Sequence, residues 1–158
     1  MGTLVDTLTE QFRRHWDTVL SACDVVPQDH WKSGDIDYLI PVRQIYHIVF
    51  SADCYVNDVT YEEYKPHRRY KIDWEGGALD ELPDQDHMKS EADFQRDKLN
   101  TWLAGKGDSG LLAQEDCYPW TGSTRLDRML YLLRHGQWHI GELNSELRRR
   151  GLQRAKWY

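Results

Sequence analysis

His135 and His139 stand four residues apart. Within a helix that spacing sets two imidazoles one turn apart on the same face, where both can grip a single ion. Seven histidines placed at random in 158 residues give about 0.3 pairs at this spacing, so a solvated pair is the competing reading. Two features favour ligands. His139 lies beside a stripe of Leu132, Gly136 and Leu143, with His135 at its edge, which predicts partial burial. Gly136 and Gly141 also interrupt the same stretch. Each costs roughly 1 kcal/mol relative to alanine in a helix interior, a cost tolerated where a neighbouring helix or a bound substrate comes close to the backbone. His47 is the third candidate, because it shares a helical stripe with Phe50 and Cys54. The alternative for it is a core histidine bonded to a carbonyl group.

The same residues exclude several chemistries. A zinc protease helix reads His-Glu-x-x-His, with the Glu as proton acceptor. Here Gly136 follows His135, so that base is missing. Di-iron carboxylate bundles repeat Glu-x-x-His on inward faces, a pattern this chain lacks. It also has no Gly-rich phosphate loop and no Gly-x-Ser-x-Gly elbow, which removes the commonest nucleotide and acyl-transfer readings. The remaining histidines, His15, His30, His67 and His87, fall on charged or polar stretches and read as surface residues. Glu142 and Asp53 could orient ligands from behind, although solvated helix carboxylates are the simpler reading of both.

Four helices are expected to position the three imidazoles. The first runs from about Thr3 to Cys23, with Leu4, Leu8, Phe12, Trp16, Val19 and Leu20 at helical spacing behind a Thr3-x-x-Asp6 start signal. The second begins at Pro41, whose fixed φ suits a first turn, and extends to about Val59, with apolar residues on two opposite sides. Tyr61 to Leu82 shows no sustained period and reads as a long connection. The third spans Asp84 to Ala104, turning Met88, Ala92, Leu99, Trp102 and Leu103 inward, and is stopped by Gly105, Gly107 and Gly110. The last opens at Thr124-x-x-Asp127, carries Leu126, Leu130, Leu133, Gln137, Ile140 and Leu147 on its main stripe, and ends near Gly151. With no strand run and no repeat, the expected fold is a single all-α domain over residues 1–158, an antiparallel four-helix bundle with long connections.

Composition narrows the partners. A formal net charge of -6 gives no general attraction for nucleic acid or anionic lipid. The basic group Arg148, Arg149, Arg150, Arg154 and Lys156 suits the negative end of the last helix. Cys23, Cys54 and Cys117 are odd in number and widely spaced, so neither a disulfide framework nor a cysteine zinc site is indicated and a reducing cytoplasm is the default. No stretch approaches about 18 uncharged apolar residues, so no membrane segment is expected.

Two stretches, Gln44-Ile45-Tyr46-His47-Ile48-Val49 and His135-x-x-x-His139-x-Gly141-Glu142-Leu143, resemble the DinB/YfiT-like family of metal-binding four-helix bundles. Helix lengths, the loop at Pro27 and the long second connection agree, so the resemblance covers nearly the whole chain. The resemblance implies one divalent ion, nickel or zinc, on His47, His135 and His139, usually within a homodimer. It also implies a reaction class, since some relatives are thiol transferases or thiol-dependent isomerases acting on small molecules with a low-molecular-weight thiol. Gly136 and Trp138 depart from the family's usual choice of bulkier or polar neighbours to the ligands. Three neutral imidazoles leave coordination positions open, and a cation there lowers the pKa of a bound thiol or water. The function expected is therefore a metal-dependent transferase or hydrolase that joins a thiol to an electrophile. A non-catalytic metal-binding or structural dimer is the alternative.

Overall fold

The computed structural model describes residues 3–158. It is all-helical: α1 (Leu4–Val25), α2 (Gln28–Trp31), α3 (Pro41–Tyr55), α4 (Tyr61–Tyr64), α5 (Gln85–Leu112) and α6 (Arg125–Arg149), with short 3-10 turns at Asp37–Leu39 and Lys65–His67. Among the described residues no strand is present, only an isolated bridge between Gln114 and Thr124. No described helix is long and apolar enough to cross a membrane.

Both capping signals read from the sequence are formed. Thr3 and Asp6 close a reciprocal box at the start of α1, and Thr124 and Asp127 do the same for α6, each satisfying amides that a helix N-terminus leaves unpaired. α1 and α3 each pack against both α5 and α6. The order of the contacts is informative. Gln44 meets His139, His47 meets His135 and the Asn57 carbonyl meets Arg128. Likewise the Gln85 amide donates to the Cys23 and Val26 carbonyls, while Asp108 meets the amides of Leu4 and Val5. The core between these helices includes Phe12, Trp16, Val19, Ile45, Val49, Leu99, Leu103, Met129 and Leu143.

Four expectations are corrected. α3 ends at Tyr55 rather than near Val59, because Val56 leaves helical geometry at φ -99° and ψ 71° and Asn57 turns its side chain back to the Cys54 carbonyl. α5 does not stop at Gly105. Gly107 takes φ 63° and bends the chain, after which helix resumes to Leu112. That extension carries the Asp108 carboxylate to the start of α1, where it accepts from Leu4 and Val5 N–H at 3.2 and 3.0 Å, a favourable place for negative charge. The buried face of α6 is centred on Met129, Leu132, Gly136, His139, Ile140, Leu143 and Leu147, whereas Leu130 is 49% exposed. What read as the secondary stripe is the core stripe, because Arg128, His139 and Glu146 are buried with it and hide its phase from an apolar count.

The fourth correction concerns His15, which is buried rather than at the surface. Its ring fills the space over Gly136: a Cβ there would lie 2.4 Å from His15 Cε1 and 2.8 Å from Nε2. The Gln137 side chain meets His15 Nδ1 at 2.9 Å. The glycine is thus the gap that lets α1 seat an imidazole against α6. Gly136→Ala should destabilise the protein by about 1–3 kcal/mol through overpacking, read from urea unfolding. In a His15→Ala background the same change should become neutral or stabilising by up to about 1 kcal/mol, since only the helix propensity gain is left.

Candidate metal centre

Two helices present the three imidazoles. α3 starts at Pro41 and is covered on nearly every side, with Ile45, Ile48, Val49 and Ala52 buried, so its rotation about its axis is fixed. That rotation aims His47 at α6. α6 supplies His135 and His139 one turn apart, as their spacing requires. One ring nitrogen from each of His47, His135 and His139 lies within 4.8 Å of the others, and the ring centroids are 4.6, 4.6 and 4.9 Å apart. His30, His67 and His87 are not brought to this cluster: His30 meets Arg150, while His67 and His87 are exposed.

The donor set fits a small cation. His47 Nε2 and His135 Nε2 face each other at 3.1 Å. Two imidazole nitrogens each about 2.0–2.1 Å from one ion lie about 2.9–3.4 Å apart for right-angled to tetrahedral geometry. His139 is held in the matching tautomer by a chain of two hydrogen bonds. The Gln44 amide N–H₂ donates to the Tyr38 carbonyl at 2.7 Å, which fixes the direction of the amide. Its oxygen therefore faces His139 Nδ1 at 2.8 Å and must accept from it. A hydrogen on Nδ1 leaves Nε2 with a free lone pair. The Glu142 carboxylate lies 3.3 Å from the same Nδ1 and accepts from Tyr38 O–H at 2.6 Å, so Glu142 is not the freely solvated carboxylate that sequence reading favoured. Asp53 also departs from that reading, but it is buried elsewhere, against Tyr64, Gln95 and Lys98.

Electrostatics favour lone pairs over protons. Burial, followed by the neighbouring imidazoles, pushes His47 down to about 2. Burial and His139 bring His135 down to about 4. Burial also lowers His139, with Glu142 acting against it. Near neutral pH all three rings are uncharged, the form that binds metal. The buried Nδ1 atoms of His47 and His135 have no hydrogen-bond partner, so only His139 has its tautomer set by the protein.

The site has a roof and an open side. Trp74, from the connection between α4 and α5, stacks on His47 with centroids 3.9 Å apart. Arg43 holds that connection down by donating to the Trp74 and Gly77 carbonyls at 2.8 and 3.0 Å. On the open side a cavity of about 450 Å³ is bounded by Tyr38, Tyr131, Arg134, His135, Trp138 and His139. Sequence reasoning missed Gln44, Tyr38 and Trp74 as parts of the site. Gln44 carried a usable signal, being three residues before His47 and so on a neighbouring face of the same helix. Trp74 carried none, since no period runs through its segment.

Gln44→Leu should lower metal affinity about 10–100-fold, the usual cost of removing the partner that orients a ligating histidine. Competition with a chromophoric chelator measures this, with circular dichroism to show that the helices persist.

No family model, curated protein or solved structure matches the chain.

Proposed function

We propose that the chain is an antiparallel four-helix bundle of the DinB/YfiT-like kind, built from α1, α3, α5 and α6, that holds one nickel or zinc ion on His47, His135 and His139 and transfers a low-molecular-weight thiol to a small electrophile. The contact orders described above support the bundle. What carries the functional reading is the convergence of three uncharged imidazoles beside an open, aromatic-walled cavity. A divalent ion bound there supplies Lewis acidity, lowering the pKa of a thiol or water that reaches it. The chain's own groups do the rest. Gln44 and Glu142 orient His139, Trp74 shields His47 from solvent, and Tyr38 and Trp138 flank the space in which a small molecule would lie. Cys23 and Cys54 are buried and pushed up to about 12, chiefly by burial, and neither they nor Cys117 bound the cavity, so the reading needs an external thiol.

The test is turnover. Protein loaded with nickel or zinc is incubated with a panel of small thiols and 1-chloro-2,4-dinitrobenzene, and the conjugate is followed by absorbance. Conjugation that requires the ion and disappears in His47→Ala is expected. Stoichiometric metal with no conjugation by any thiol would refute the transferase reading and assign the site to metal binding alone.

A further inference from the structure

The cavity beside the three imidazoles has a cation on its wall that the protein does not use. Apart from the two uncharged imidazoles, Arg134 is the one basic side chain among the six residues that bound it. Among the described residues it makes no ion pair and no hydrogen bond to another group, unlike Arg13, Arg14, Arg96 and Arg149, which each reach a carboxylate three or four residues away on their own helix. The corresponding neighbours of Arg134 are Leu130, Tyr131, Gln137 and Trp138, none of them acidic. Its guanidinium carbon instead lies 5.4 Å from the centroid of Tyr131, and Tyr131 stacks near-parallel on His135 with centroids 5.9 Å apart. The Glu142 carboxylate, about two turns further along the helix, is engaged by Tyr38 and His139 instead.

We infer that this cavity takes a small aromatic carboxylate, its carboxylate on Arg134 and its flat apolar body beside Trp138, with the far end turned toward His135 and His139. A guanidinium forks onto a carboxylate through two parallel N–H donors. Its position over an aromatic ring orders that fork without neutralising it. The rings of Tyr38 and Trp138 offer faces for a planar body, and a cavity of about 450 Å³ holds a single-ring molecule with room for a second reactant. The carboxylate site stands on the free arginine and the aromatic walls alone. The orientation toward the histidines rests on the proposed metal reading.

The probes are 4-fluorobenzoate and its uncharged counterpart 4-fluorobenzamide, observed by fluorine NMR during titration of the full chain. In metal-free protein, 4-fluorobenzoate should bind about tenfold more tightly than 4-fluorobenzamide, a difference of about 1.4 kcal/mol. The preference should fall to within about threefold in Arg134→Gln, whose exposed position keeps the fold out of the comparison, and should recover partly in Arg134→Lys. Equal affinity for the two probes in the unaltered protein, or a preference that survives Arg134→Gln, would overturn the carboxylate site. In nickel-loaded protein the bound fluorine should relax faster than in the metal-free form, and His135→Ala should abolish the effect. Loss of this second result alone, in protein that retains its nickel, would overturn the orientation while leaving the carboxylate site intact.

Discussion

Saturation with nickel or zinc should raise the midpoint of thermal unfolding by about 8–16 °C. An ion that binds the folded state at about a thousand times its dissociation constant stabilises it by about 4 kcal/mol, and each kcal/mol is worth about 2–4 °C in a chain of 150–250 residues. The size of the effect follows from where the three imidazoles sit. His47 comes from α3 and the other two from α6, so the ion would bind two helices far apart in sequence and the unfolded chain would offer no comparable set. His135→Ala should remove nearly all of the shift, while leaving the metal-free midpoint within a few degrees because His135 is only half-buried. Thermal melts followed by circular dichroism, with and without a chelator, measure both.

The second large effect lies away from the site. Asp53→Ala should destabilise the protein by about 3 kcal/mol, at the low end of the cost of breaking a buried ion pair because Lys98 keeps contact with water. Asp53 accepts from Lys98 at 2.8 Å, from Tyr64 O–H at 2.8 Å, and at longer range from Gln95 and the Arg69 amide. It thereby ties α3 to α5 and to the connection that brings Trp74 over His47. Burial pushes its carboxyl up, but the Lys98 ammonium and the hydrogen bonds from Lys98, Tyr64 and Arg69 outweigh burial and hold it below the ordinary 3.8. The sign of the pH effect follows. A carboxyl with a depressed folded value contributes stability that is fully present above its unfolded pKa and is lost as pH falls through the folded one. Asp53→Asn should therefore flatten the stability profile below about pH 4, read from urea midpoints across pH.

The sequence was most informative where a single helix carries the whole signal. The Thr3 and Thr124 boxes, the Pro41 start and the four-residue spacing of His135 and His139 are local properties, and all reappear in the structure. It was less informative about phase. Leu126, Leu130 and Leu133 suggested one buried face of α6, but Arg128 and Glu146 are buried too: Arg128 stays inside because Glu115 pairs with it, and Glu146 because Arg149 does. An apolar count cannot anticipate such partners. His15 was misjudged from its neighbours Arg13 and Arg14, although Phe12 three residues before and Val19 four residues after placed it on the core face. Gly136 did announce a close approach, and what approaches is His15. The roof over the site was not legible, because Trp74 reaches His47 through a connection whose path is set by the Arg43 hydrogen bonds to its carbonyls.

X-ray absorption at the zinc edge of the zinc-loaded protein addresses the central claim directly. Three imidazole nitrogens on one ion, at about 2.0–2.1 Å, should appear with the outer-shell scattering that imidazole rings produce. His47→Ala and His139→Ala should each lose one of them or fail to retain zinc. A spectrum without imidazole scattering, or one unchanged by either substitution, would contradict the assignment of His47, His135 and His139 as the ligands.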